Sequence, residues 1–206
     1  MTPNRAVIIA GVRTPFRRAF TDFTALDSIA LGGAAVAGLL ARTGIAKTDI
    51  QAMVWGGVIL PSAAPNVARE IALDLRLGVG CEGYTVTRAC ASGLQAITSA
   101  AAAIERGEYD VMIAGGSDST SNAEIKLPQH LVHAVAPIAL GRPSWRDYLG
   151  VLAQLAPFTD LFPRRPRIAE RTTGEVMGES AEKMARIHGI TRAAQDEFAA
   201  RSHHRA

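Results

Sequence analysis

In the stretch Thr87-Arg88-Ala89-Cys90-Ala91-Ser92-Gly93, a short apolar run gives way to a segment rich in small residues. Residues 83–87 are typical of a strand and residues 91–106 of a helix. Cys90 is therefore predicted at a strand-to-helix junction, beside backbone N–H groups that have no partner within the helix. Such a terminus stabilises a thiolate by roughly 0.3–1 kcal/mol, so a nucleophile at this position also needs a base. The alternative is an inert, small apolar cysteine at a tight junction.

Strand and helix patterns alternate on both sides of the junction. Strands are predicted at 6–10, 52–60 and 111–114, and helices at 27–42, where Gly44 follows as a cap, and from Asn66 to Leu75. Alternation of this kind is typical of parallel strands joined by right-handed crossovers. The predicted fold class is therefore α/β.

The composition indicates a folded protein with a substantial core. The chain has 206 residues and 48% hydrophobic content, which is enough for one large domain or two small ones. No apolar stretch reaches transmembrane length and no signal-peptide pattern is present, so we expect a cytoplasmic protein. In a reducing compartment Cys81 and Cys90 are expected to be free thiols.

The net charge of +3 does not indicate a nucleic-acid partner. The basic residues are almost all arginines, scattered along the chain except in the run 164–167. Aromatic side chains do not alternate with them as a stacking platform for bases requires. No nucleic acid is therefore expected as a partner.

Residues 122–171 are predicted to form an inserted loop subdomain, because six prolines interrupt their short helical patterns. The predicted organisation is a core at 1–121 that holds Cys90, this insertion, and a return to the core at 172–206. Amphipathic pieces in residues 144–168, with arginines at their end, are predicted to contact a partner subunit or an anionic membrane surface.

Five stretches, in order along the chain, resemble the motifs of the thiolase family. They are Arg13-Thr14-Pro15, Thr87 to Ile97, Ala114 to Ser119, Met177 to Glu182 and Gln195 to Ala206. The second matches the nucleophile motif Asn-Arg-x-Cys-x-Ser-Gly-Leu-Gln-Ala, except that Thr87 replaces the asparagine. The third resembles Gly-Gly-x-Glu-x-Met with the acid and the methionine changed.

The resemblance implies a thiolase-like N-terminal half, with a mixed, mostly parallel sheet and helices on both faces. Cys90 would be the nucleophile that carries the acyl group as a thioester, and Met177 and Gly178 would line the substrate pocket. The substrates would be acyl-CoA and CoA, with no cofactor and no metal. The chain would form a homodimer or a higher oligomer.

The segment from Leu161 to Gly178 is similar to the β-subunits of fatty-acid oxidation complexes. This likeness implies a 3-ketoacyl-CoA thiolase of β-oxidation, with acetyl-CoA as a product and an α-subunit as a partner.

Family members carry three further motifs in a second half: Gly-His-Pro, Asn-Glu-Ala and Cys-x-Gly-Gly-Gly. None of them occurs in these 206 residues, and none of the five histidines stands in a matching motif. We therefore expect a nucleophile half that ends before the C-terminal domain and is inactive alone. Two alternatives remain open: a non-catalytic thiolase-like remnant or interaction subunit, and a decarboxylating condensing enzyme similar to the ketosynthases.

Overall fold

The computed structural model describes residues 5–124, 128–141, 143–154 and 168–205. The chain contains two compact units, residues 1–125 and 126–206. The first unit holds a three-stranded sheet of β1 (Ala52–Gly56), β2 (Glu82–Val86) and β3 (Met112–Gly116). Its helices are α1 (Ser28–Thr43), α2 (Val67–Asp74) and α3 (Ser92–Glu105), with short 3₁₀ turns at Lys47–Asp49 and Thr120–Asn122.

The strands are all parallel and lie in the order β2-β1-β3. From β1 the chain moves to one side to form β2, and then returns across β1 to form β3. Right-handed crossovers in these two directions place their connecting helices on opposite faces of the sheet. The predicted α/β fold with helices on both faces is confirmed.

Alternate residues of the central strand β1 face the two helical layers. Met53 and Trp55 belong to the core formed with α1 and α2, whereas Val54 packs with Ala96 and Ala100 of α3. All five residues of β1 are buried, as expected for a strand covered on both faces. This double burial fixes the position of the sheet relative to the start of α3.

The predicted caps of the first two helices are present. The Asp27 carboxylate accepts a 2.7 Å hydrogen bond from the N–H of Ala30 at the start of α1. Gly44 ends this helix in the left-handed region, with φ 67°. The Asn66 side chain accepts a hydrogen bond from the N–H of Arg69 at the start of α2. The sequence therefore predicted these boundaries through groups that satisfy the helix termini.

The prediction of a buried strand at residues 6–10 is wrong. The segment has no strand structure, and Val7, Ile8 and Ile9 are 73–86% exposed. An apolar run forms a strand only where a neighbouring strand offers backbone hydrogen bonds, and no described strand pairs with this one. The strand predicted at 52–60 is shorter than expected and ends at Gly56.

The described part of the second unit is helical. It consists of α4 (Gln129–Leu140), α5 (Trp145–Gln154), α6 (Met177–Ile187) and α7 (Arg192–Arg205). Helices α4 and α5 lie in the predicted insertion and pack against each other. Residues 155–167, which include the arginine run, lie outside the described residues. The boundaries at 121 and 171, and the return of 172–206 to the core, stay predictions.

Candidate active site

Cys90 lies between the last residue of β2, Val86, and the first residue of α3, Ser92. Its side chain is exposed, and the helix cap Ala91 provides no side-chain hydrogen bond. The first N–H groups of α3 are therefore not occupied by a capping side chain. The predicted strand-to-helix junction is present, and it leaves the thiol accessible to a ligand.

The junction belongs to the carboxyl edge of the parallel sheet. The register aligns Gly56 with Val86 and Gly116, so all three strands end at one level. The N–H of Gly57 donates to the carbonyl of Val86 at 3.2 Å, which ties the segment after β1 to the end of β2. In open α/β sheets ligands bind outside the carboxyl ends of the strands. Cys90 is at this edge.

A tight turn brings Cys90 to the helix. Ala89 has φ 45°, in the left-handed region that non-glycine residues rarely adopt. The N–H of Ala91 donates to the carbonyl of Arg88 at 3.0 Å, and the N–H of Ser92 donates to that of Ala89 at 3.1 Å. Sequence reasoning missed this conformation, because an alanine carries no signal for it.

Gly56 allows the end of β1 to approach the first turn of α3. A Cβ atom at this position would lie 2.5 Å from the carbonyl carbon of Ser92 and 2.8 Å from the nitrogen of Gly93. Both contacts are with backbone, so rotation of a side chain could not relieve them. The glycine is therefore required for the position of the helix that follows Cys90.

Asp118 stabilises the loop after β1. Its carboxylate accepts hydrogen bonds from the N–H groups of Val58 and Ile59, at 2.8 and 2.6 Å. This is the position at which the thiolase motif has its changed acid. The structure gives the shorter carboxylate a local role, as an acceptor for two loop N–H groups.

The two cysteines have different environments, and both are free. Cys81 is buried, and this burial raises the pKa of its thiol. A buried thiol with a raised pKa is a poor nucleophile at neutral pH. Cys90 is the exposed thiol of the chain and the one that a substrate can reach.

A cavity of about 300 Å³ lies elsewhere in the first unit. Its lining comes from residues 10–14, from α1 and from β3 with the two residues that follow it. Cys90 does not line this cavity.

The other site residues predicted from the sequence lie in the second unit. Met177 and Gly178 are exposed in the first turn of α6. The Glu179 carboxylate accepts a 2.8 Å hydrogen bond from the N–H of Val176 and fixes the start of this helix. Their role in substrate binding stays a prediction.

The histidines are also confined to the second unit, and every one of them is exposed. They are His130, His133, His188, His203 and His204. The unit that carries Cys90 therefore contributes no imidazole base of its own.

Among the described residues, no three His, Cys, Asp or Glu side chains cluster as a metal site requires. Within the same ranges, no helix combines the length and the apolar character needed to cross a membrane.

Comparisons with known proteins identify relatives of the chain. Residues 6–206 match the family described as "Thiolase, N-terminal domain". The 3-ketoacyl-CoA thiolase of Serratia proteamaculans is 41% identical over 200 residues, and that of Shewanella pealeana is 40% identical over 199. Each alignment covers 97% of this chain and 45% of the relative. The chain thus spans about half the length of the curated relatives it matches.

Two solved structures have a similar fold. The acetyl-CoA acetyltransferase of Bacillus anthracis superposes with a TM-score of 0.75 at 28% identity, over 98% of this chain and 46% of that one. The Acat5 thiolase of Ascaris suum, solved in complex with coenzyme A, gives 0.73 at 24% identity, over 95% of this chain and 46% of that one.

Proposed function

The chain belongs to the thiolase family, and on that premise we propose that it is the nucleophile half of a 3-ketoacyl-CoA thiolase acting in fatty-acid β-oxidation. The observation that carries the proposal is the exposed Cys90 thiol at the start of α3, within a chain 41% identical to such a thiolase. The substrates proposed for the whole enzyme are a 3-ketoacyl-CoA and CoA. No metal or other cofactor takes part in the proposed reaction.

In the first step the Cys90 thiolate attacks the 3-keto carbon of the substrate. The bond between C2 and C3 then breaks, and the electron pair leaves with the acetyl-CoA fragment, which takes a proton from a general acid. The fatty acyl chain, shortened by two carbons, remains on Cys90 as a thioester. We propose the backbone N–H of Cys90 as one donor to the oxyanion formed during the attack.

In the second step the thiol of CoA loses its proton to a base and attacks the thioester. The tetrahedral adduct collapses to release the shortened acyl-CoA and the Cys90 thiolate. Both steps need a group that moves protons, and none of the five histidines of this chain stands in a catalytic motif of the family. We therefore assign the acid and base to residues of a complementary C-terminal half, as the family resemblance implies.

The test is a thiolysis assay with acetoacetyl-CoA and a longer 3-ketoacyl-CoA. We expect the 206-residue chain alone to be slower by about 10²–10⁴-fold than a mixture with a separately expressed C-terminal half of the Serratia relative, because a missing general base costs this much. Size-exclusion chromatography would identify the fractions that contain both halves. An assembled but inactive complex would favour the non-catalytic interaction subunit, and full activity of the chain alone would contradict the half-enzyme proposal.

The partner assignments are likewise proposals. A homodimer or a higher oligomer, and an α-subunit of a fatty-acid oxidation complex, follow from the family resemblance. We propose a cytoplasmic location for the assembly, with peripheral membrane contact through residues 144–168. The described part of that segment supports the contact: Trp145, Tyr148 and Leu149 share one face of α5, and each is more than half exposed.

We expect the chain to bind vesicles that contain an anionic lipid, because an amphipathic helix with exposed aromatic residues partitions into the interface. The double variant Trp145→Ala/Tyr148→Ala should weaken binding about tenfold. Cosedimentation measures the binding, and slow alkylation of the buried Cys81 thiol reports that the first unit of the variant is folded. Equal binding by the variant, or none by the intact chain, would refute the membrane contact.

A further inference from the structure

We propose that Ser92 is a positioning residue for the Cys90 nucleophile, because its hydroxyl closes the turn that delivers the thiol to the start of α3. This inference rests on the proposed function, since it concerns the same thiol. It assigns a role to the serine of the nucleophile motif, as a second side chain on which the geometry of Cys90 depends.

The Ser92 hydroxyl makes two hydrogen bonds across the turn. It accepts from the N–H of Arg88 at 2.8 Å and donates to the carbonyl of Ala89 at 2.7 Å. The side chain is only 4% exposed, so water does not readily replace these partners. The hydroxyl thus joins the two residues before Cys90, Arg88 and Ala89, to the first residue of the helix.

The bonds span the strained residue of the turn. Ala89 adopts φ 45°, in the left-handed region that is unfavourable for an L-residue with a Cβ atom. The bonded N–H of Arg88 precedes this residue, and the bonded carbonyl belongs to it. Holding both groups opposes the relaxation of Ala89 to a more favourable backbone conformation.

Relaxation of the turn would move Cys90 away from the first N–H groups of α3. Two backbone hydrogen bonds, from Ala91 to Arg88 and from Ser92 to Ala89, also close the turn, and Ala91 adds no side-chain cap. Gly56 fixes the helix from the opposite side, where it packs against the Ser92 backbone. The Ser92 hydroxyl therefore controls the turn, while the Gly56 contact controls the helix.

The experiment measures Cys90 alkylation by iodoacetamide in the 206-residue chain across a range of pH. Because the relaxed turn moves Cys90 away from the first N–H groups of α3, Ser92→Ala should be alkylated about two- to fivefold more slowly than the wild type near neutral pH. Ser92→Thr keeps the hydroxyl and should restore the wild-type profile. Ser99→Ala removes another hydroxyl of α3, bonded to the Gln95 amide, and should change nothing.

Cys81 is buried, so its alkylation should stay slow in every folded variant, and fast alkylation of Cys81 would indicate unfolding. If Ser92→Ala unfolds, the hydrogen-exchange rate of the Arg88 N–H in the wild-type chain tests the proposal instead. Protection of this N–H supports its hydrogen bond to Ser92, and exchange as fast as in an unstructured turn overturns the proposal. A folded Ser92→Ala with the wild-type alkylation profile also overturns the proposal. If wild-type Cys90 reacts no faster than the cysteine of a short peptide, the thiol is not activated at the junction. That result would count against the proposed function rather than against the role of Ser92.

Discussion

Replacing Cys90 by alanine is expected to abolish thiolysis by the two assembled halves, with a fall in kcat/KM of at least about 10³-fold. Without the thiol no acyl-enzyme forms, and the reaction can no longer be divided into two acyl transfers. The Ser92 hydroxyl, two residues away, is buried and makes two hydrogen bonds, so it is not expected to replace the thiol.

The matched control for this prediction is Cys81→Ala, which removes the buried thiol of the chain. It should leave kcat/KM within a small factor of the wild-type value, since Cys81 packs in the core and does not reach the junction. Initial rates of 3-ketoacyl-CoA consumption measure both variants. Retention of activity by Cys90→Ala would contradict the assignment of the nucleophile.

Gly56→Ala is expected to have the largest effect on stability among single methyl additions at the junction. The new Cβ would overlap the backbone of Ser92 and Gly93, so either β1 or α3 has to move. Overpacking of this kind costs about 3 kcal/mol, which corresponds to a fall in Tm on the order of 10 °C. Thermal unfolding followed by circular dichroism measures the change.

Gly93→Ala serves as the control for Gly56→Ala. It adds the same methyl group in the first turn of α3, where a Cβ meets no atom within 4 Å. Because alanine favours helix over glycine by about 1 kcal/mol, Tm should stay constant or rise. Equal stability of Gly56→Ala and the wild type would show that the strand and the helix are not in the close contact described here.

The alternating pattern was sufficient to predict the parallel sheet, the helices on both faces and the capped ends of α1 and α2. These features depend on local signals, such as the Asp27 and Asn66 caps and the left-handed Gly44. Residues 6–10 show the limit of such local signals. Their apolar run does not say whether a neighbouring strand is present to pair with it.

Part of the candidate site was predictable from the sequence. The motif around Cys90 lies at a strand-to-helix junction, and sequence patterns indicate such junctions well. The supporting contacts were not predictable. Ala89 gives no indication of its positive φ, Gly56 is 36 positions from the start of the helix it allows to approach, and a serine within a helix does not specify the partners of its hydroxyl. Each depends on tertiary geometry rather than on local sequence.

The central claim is that Cys90 carries the acyl group, and peptide mass spectrometry after acid quenching of the assembled halves with a 3-ketoacyl-CoA tests it most directly. Trypsin separates the two cysteines, into peptide 77–88 with Cys81 and peptide 89–106 with Cys90. We expect the added acyl mass on peptide 89–106 and its disappearance when CoA is added before the quench. An acyl group on peptide 77–88, or turnover through an adduct on any residue other than Cys90, would contradict the claim.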